Sequence, residues 1–546
     1  MMRAIAVASL LAGSIGCSSA GSEDLPPTLE ITSPQRGTTA EGSEVTVTGV
    51  VKDDGKDVRV TVNGTTVTPA ADGSFTATVA VGEGVSILET HAVDSAGNDV
   101  RDVRAVLAGT LAPSDGSTAS PIGARVGPDA FDKIGDVLGT TAEGIDFTAA
   151  AQAMNPVYNN TGCLGAVINI TSVDVGNIDI GLVPGRAGVA TGVAISNVDI
   201  RLRANFKVAC VGGSTNITVK STKARINGDL GIAASGGRIV TSLPNPTVAL
   251  DGFTVDVGGV PGAIESLLKG EARKAAEKAL TDVIRDRVPP MANTALADVL
   301  AKPFNTAILG HDTRMTVTPK EVTTSVDGLF ASVDTKIKVT GGEGGMYVSS
   351  SSPLSASLMP TAGLGVAIAD DTINQLFSGL WAAGALDQSV GIESVGVLGA
   401  LLDDDASTLA IELMLPPTVT GANGALELAV GDVIISVRDA GGNEIQKLAL
   451  SVTTSLTANP TQDGKISLAV GSPTVKAQML AQTDIVDRPL TDEQVEGIVT
   501  GAWGVVGGLA DSALANLPMP AVAGVTLGAP SIVGAERYVI ADIPLE

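Results

Sequence analysis

Chemistry-bearing side chains are scarce in this chain. Its two histidines, His91 and His311, stand far apart, which leaves almost no material for a histidine-based metal or acid–base centre. No G-x-S-x-G, H-E-x-x-H or phosphate-loop motif occurs. Two acidic runs, Asp370-Asp371 and Asp403-Asp404-Asp405, carry types that could bind a cation or act as acids. Their settings favour a helix cap for the first and a loop for the second. Asp94 and Asn98 could likewise approach a calcium ion, but their spacing suits a turn better. The expectation is therefore a protein that is not an enzyme, with no metal and no cofactor. With 34 Lys+Arg against 59 Asp+Glu the net charge is −25, which excludes a globally basic nucleic-acid binder and argues against a cationic membrane-killing role.

The three cysteines are more informative. Arg3, an apolar run Ala4–Ile15 and small residues before Cys17 form an export signal. About 12 apolar residues are too few to span a bilayer, which takes about 20. Ser14-Ile15-Gly16-Cys17 resembles a bacterial lipobox, with Ser14 where Leu is usual. That resemblance implies a lipid anchor on Cys17 and a flexible tether after it; simple secretion with cleavage nearby is the alternative. Ser18 resembles the sorting context of outer-membrane lipoproteins, so the expected location is the bacterial cell envelope. Export implies an oxidising compartment, where Cys163 and Cys210 can pair, or else remain two buried thiols. The apolar stretch Gly497–Ala510 is too short to span a membrane.

These groups must be carried by elements, and 44 % apolar against 17 % charged residues allows a large core. After a signal (1–16) and tether (17–27), residues 28–108 alternate apolar and polar, as in Val45–Thr48, Val58–Val62 and Phe75–Val79. Asn63-Gly64 and Asp72-Gly73 give hairpin turns. Ile31-Thr32-Ser33-Pro34 and His91–Asn98 resemble bacterial immunoglobulin-like modules, which implies a β-sandwich used as spacer or adhesive stalk. A Gly/Ser/Pro/Thr-rich linker occupies 109–121.

Beyond it the chain is strand-rich with three helices. The first spans Gly262–Val288, with an apolar stripe through Ile264, Leu268, Ala272, Ala275, Ala279 and Val283, and Pro289-Pro290 as its stop. The second spans Asp371–Leu386, capped by Asp370, with Ile373, Leu376, Phe377 and Leu380 on one face. The third opens on the capping box Thr491-Asp492-Glu493-Gln494 and carries Val495, Ile498, Val499, Ala502, Val505, Val506 and Leu509. Long strands with one apolar face, such as Ile200–Val208 and Leu448–Leu456, surround these helices.

Four segments then resemble a family: Ala124–Phe131; Ile170–Val175 with Val193–Ile200; Val366–Leu376 through Trp381–Gly384; and Leu517–Leu527 with Tyr538–Ile543. Their order over 122–546 is similar to the tubular lipid-binding proteins related to bactericidal/permeability-increasing, lipopolysaccharide-binding and cholesteryl ester transfer proteins. The resemblance implies an α+β fold. Two elongated half-barrels, 122–345 and 346–546, would each curl an antiparallel sheet around a long helix, with a central sheet joining them and the N-terminal all-β sandwich preceding them. It implies a surface-anchored lipid-binding protein that shelters acyl chains of phospholipid or lipopolysaccharide-like lipids in apolar grooves and passes them between membranes. It places Ile264, Leu267, Leu268, Ile373, Leu376, Phe377, Leu380, Val499 and Val506 at pockets. An adhesion or structural lipoprotein working through the immunoglobulin-like module is the alternative. Charge divides unevenly, from −1 over 120–345 to −16 over 346–546. Within 200–228, however, Arg201, Arg203, Lys207, Lys220, Lys223 and Arg225 stand without any acid, where the resemblance implies headgroup docking.

Overall fold

The computed structural model describes residues 25–54, 57–260, 262–300, 304–349, 353–394, 402, 404–422, 425–460, 466–484, 486, 489–501, 528, 531–535 and 537–544. Cys17, Val506 and the segment Leu517–Leu527 lie outside the described residues. The fold is α+β, mostly strands with few helices: two curled antiparallel half-barrel sheets, a separate seven-stranded sheet, and an N-terminal β domain. The chain divides into two compact units.

Among the described residues, the smaller unit lies within 25–35, 44–80 and 88–103. Strand Glu44–Lys52 pairs with Thr28–Ser33 on one side and Ser74–Ala80 on the other. Its alternate residues Val45, Val47 and Val51 are buried, as strict period-two patterning requires. Arg59–Val62 turns into Thr65–Val67 through Asn63 and Gly64, both at positive φ, the conformation an Asn-Gly hairpin prefers. Asp94 Oδ1 accepts the backbone N–H groups of Ala96, Gly97 and Asn98 at 2.7–2.9 Å, and Asn98 Nδ2 donates to Oδ2. That carboxylate staples a turn.

The larger unit comprises 36–43, 81–87 and 104–546. Its first curled sheet is built on two very long strands, Gly188–Val208 and Val211–Ser235, joined by a tight hairpin. Leu164–Asp174 and Ile178–Gly185 pair with the first; Arg238–Ser242, Thr247–Asp251 and Thr254–Val257 pair with the second. Asn197 adopts φ 49°, and the buried set shifts there from Val193 and Ile195 to Val198, Ile200 and Leu202. This bulge keeps one apolar face on the core while the strand twists. Helices α1 (Pro128–Ala142), α2 (Phe147–Gln152) and α3 (Gly262–Leu300) belong to this half.

Helix α3 does not stop at Pro289-Pro290 but continues to Leu300. Two prolines remove two N–H donors, leaving the carbonyls of Arg285 and Asp286 without helical partners. Both residues are exposed, so water can serve them, while Thr241 Oγ1 donates to the Pro289 carbonyl at 2.7 Å.

The central seven-stranded sheet runs in the order Phe304–Ile308, His311–Ser325, Gly328–Val339, Ser117–Val126, Leu364–Ala369, Tyr538–Ile543, Ser531–Ala535. Ala124 faces Ala331 on one side and Val366 on the other. Much of 109–121, read as linker, is therefore strand: Leu111–Pro113 pairs with Met346–Val348, and Ser117 begins the middle strand. Its small side chains suit a crowded sheet as well as a flexible linker. Gly328 (φ 116°) begins the strand beside it, where a Cβ would collide with the Val126 carbonyl.

The second curled sheet runs Gln388–Gly391, Thr408–Leu413, Ala425–Arg438, Glu444–Pro460, Ile466–Gln482, with Thr418–Ala422 pairing back on the third. Helix α4 (Asp370–Ala382) and helical residues 492–501 accompany it. The capping box holds: Gln494 N–H donates to Thr491 Oγ1 and Thr491 N–H to Gln494 Oε1 at 2.9 Å. Arg36 reaches buried Asp432 and also donates to Gln478, fixing 36–43 to this sheet. Asp404 and Asp405 sit in a turn, and Asp403 lies outside the described residues.

Candidate functional site

The first half is filled by its own side chains. Ile264 and Leu268 on α3 are 0 % exposed, sealed against Ile168, Ile170, Ile195, Ile200, Leu202, Ile217 and Ile226 of the sheet. Ala272, Ala275, Ala276 and Ala279 let the helix lie close to that sheet. Leu267 sits at the margin of the cluster, half-buried. The polar side of α3 is laced by ion pairs such as Lys269–Glu265 and Arg273–Glu277, and Arg273 stacks 4.8 Å from the Phe253 ring.

The second half is arranged differently, because α4 buries its polar residues. Asn374 clamps strand Thr418–Ala422, its Nδ2 donating to the Val419 carbonyl at 2.8 Å and its Oδ1 accepting the Val419 N–H at 2.6 Å. Gln375 Nε2 donates to the Gly116 carbonyl, Ser378 Oγ to the Met346 carbonyl, and Trp381 Nε1 to the Leu413 carbonyl. The buried Asn374 bonds give the Val419 backbone N–H and carbonyl polar partners, and the other three tie α4 to backbone carbonyls at the start of the middle strand and on neighbouring strands.

Asp370 does not act as the cap. The N-cap is Ala369, and Asp370 starts the helix with no exposure, its Oδ2 accepting the Gly421 N–H at 3.2 Å. Its Oδ1 is buried without a hydrogen-bond partner, while Arg537 Nη1 lies 3.7 Å from Oδ2. Burial pushes the Asp370 carboxyl up to about 7, with neighbouring Asp371 adding to the rise.

With the polar face fixed inward, the apolar face of α4 is left partly open. Ile373 and Phe377 meet Val419, Leu426 and Leu456, together with half-buried Leu428, Val470 and Val539. Leu376 and Leu380 meet Ile337 and Val339 of the central sheet; Leu380 is buried and Leu376 half-buried. Val499, half-buried, follows Val495 onto Leu448, Leu450, Val452 and Val475. The structure thus gathers Ile373 and Phe377 at one apolar surface, Leu376 and Leu380 at a second and Val499 at a third. The polar residues 370, 374 and 378, spaced by four, were the unread signal of which face turns inward.

The six basic residues of 200–228 all point away from the core, but the sheet brings acids to several of them. Asp199 lies 3.7 Å from Arg201 and 3.5 Å from Lys220, and Arg225 pairs with Asp251. Lys223 faces Asp251 in register. Arg203 donates to Ser214 Oγ and Lys207 to the Thr161 carbonyl, both neutral partners. Cys163 and Cys210 form a disulfide across the end of the long hairpin. Among the described residues no group of three or more His, Cys, Asp or Glu could hold a metal ion, and no helix is long and apolar enough to cross a membrane.

Comparison with curated protein sequences gives no match. A crystal structure of lipopolysaccharide binding protein aligns with 79 % of this chain and 99 % of its own at 12 % identity, with a TM-score of 0.39. Residues 27–109 match the family described as glucodextranase, domain B, and that N-terminal segment is an immunoglobulin-like β domain.

Proposed function

We propose that this chain is a lipid-binding protein of a bacterial envelope, held at a membrane through Cys17, and that its second half shelters an acyl chain of a phospholipid or lipopolysaccharide-like lipid. The observation that carries the reading is the half-buried apolar surface of Ile373, Phe377, Leu428, Val470 and Val539, beside a helix whose polar side is already committed. Each methylene moved there from water gains about 0.8 kcal/mol, so a long chain binds without specific polar contacts. In the first half, Ile264 and Leu268 are covered on all sides, so lipid would enter there only by displacing α3 from its sheet. Transfer between membranes extends the same reading, as does the role of a binder rather than a catalyst.

Displacement of a fluorescent fatty acid tests it. Parent protein is expected to bind the probe and release it to phospholipid. Phe377→Asp, which sets a charge on the half-buried face, is expected to weaken binding at least tenfold, from the roughly 2 kcal/mol of side-chain burial at stake. Equal binding by a folded Phe377→Asp variant would overturn the proposal.

A further inference from the structure

Strand Thr418–Ala422 is gripped from two sides. Val419 meets Ile373 and Phe377 of α4, and by alternation Thr418 and Thr420 project the other way. Segment 81–87 lies along that other side as a strap. Val85 N–H donates to Thr418 Oγ1 at 3.0 Å, and a Cβ on Gly84 would sit 3.1 Å from Thr418 Oγ1 and 3.4 Å from Thr420 Oγ1. Beside these contacts, Glu83 of the strap forms an ion pair with Arg537. One wall of the apolar surface on α4 is thus backed by the strap.

Arg537 is shared. Its Nη2 pairs with Glu83, while its Nη1 lies 3.7 Å from Asp370 Oδ2. Its backbone is pinned: φ is 75°, its carbonyl accepts the Asp370 N–H at 2.9 Å, and a Cβ on Gly421 would collide with it. Only the side chain is left to move between the two carboxyls. Among the described residues, the other groups around Asp370 add no positive charge. Asp371 follows it on α4, Tyr538 follows Arg537, and Tyr347 is near Asp371. Strands Thr418–Ala422 and Leu364–Ala369 supply no charged side chain, and Glu427, in register with Thr420, is exposed. Asp370 Oδ1 has no hydrogen-bond partner.

We infer that Asp370, Arg537 and Glu83 form a proton-operated latch, which holds the strap while Asp370 is neutral and frees it when Asp370 ionises. With Asp370 protonated, Arg537 has one carboxylate to pair with, Glu83. Once that proton leaves, a carboxylate with no exposure competes for the same guanidinium with one whose side chain is 48 % exposed. The buried charge is less screened and has no water to fall back on, so Arg537 turns to Asp370 and Glu83 goes to solvent. Burial sets this exchange at about pH 7 rather than in the ordinary carboxylate range. The strap is therefore held below that pH and free above it. The consequence for lipid rests on the reading of α4 as an acyl site: with the strap free, the wall carrying Val419 loosens and an acyl chain exchanges faster.

The test places a nitroxide on Gly82→Cys in the full chain with Cys17→Ser. Gly82 is exposed, a Cβ there meets only Ser86 Oγ at 3.8 Å, and the disulfide leaves position 82 as the single free thiol. Label mobility is expected to rise from about pH 5.5 to about 8.5, a range that brackets the raised Asp370 carboxyl. Asp370→Asn is expected to keep the label immobile throughout, and Glu83→Ala to leave it mobile throughout. Release of a fluorescent fatty acid in the same buffers is expected to quicken about two- to fivefold in the parent but not in Asp370→Asn, the change an ion pair half open to water sustains. A label indifferent to pH, or one that responds equally in Asp370→Asn, would overturn the latch whether or not lipid binds. A response confined to the parent, in a protein that takes up no fatty acid, would support the latch and overturn the acyl reading instead. A responding label with fatty-acid release independent of pH would overturn the link between strap and acyl surface.

Discussion

Asp370 shows how one side chain can be misread from its neighbours. In sequence, two aspartates before Ile373, Leu376, Phe377 and Leu380 describe a helix capped by Asp370 with those four apolar residues on one face. The structure turns 370, 374 and 378 inward instead, because α4 lies against strand edges whose backbone groups need partners. The stripe was legible; its direction was not, since it depends on contacts more than thirty residues away. The raised Asp370 carboxyl has a measurable consequence. The folded state keeps this proton up to about 7 while the unfolded chain releases it near 4, so stability falls as pH rises through that window and levels off above it. The contribution is on the order of 4 kcal/mol. Chemical denaturation of Asp370→Asn across that range is expected to show a shallower decline than the parent; parallel curves would place the carboxyl near its ordinary value.

At the scale of elements, period-two strands and the stripe of α3 were readable because burial imposes a fixed spacing on them. Two features were not. The shift of the buried face at Asn197 leaves no composition signal and emerges only from the ladder with Val211–Ser235. The passage of α3 through Pro289-Pro290 overrides a strong local rule, because Val288 and Ala292 on either side remain buried in the same core. The tight fit of α3 makes Leu268 a structural residue in this structure. Leu268→Ala is expected to cost about 2–5 kcal/mol in urea unfolding, with acyl binding unchanged in the folded fraction. Little loss of stability together with reduced lipid uptake would show that the first half is open and takes lipid at α3.

For the molecule as a whole, composition foretold a strand-rich apolar fold but not which distant strands meet. Residues 117–121 read as linker from their small polar side chains, yet they open strand Ser117–Val126, which lies mid-sheet between strands more than two hundred residues later in the chain. Charge behaves similarly: 200–228 holds no acid, but register sets Asp199 and Asp251 beside its basic residues. Together these pairings leave one half closed and the other with a partly uncovered apolar surface on α4. Native mass spectrometry of the gently purified full chain asks directly whether that surface holds a lipid. The expected spectrum carries lipid-sized mass on the parent and loses it in Phe377→Asp at unchanged charge-state distribution. Bare parent protein, or equal lipid on both, would contradict the account.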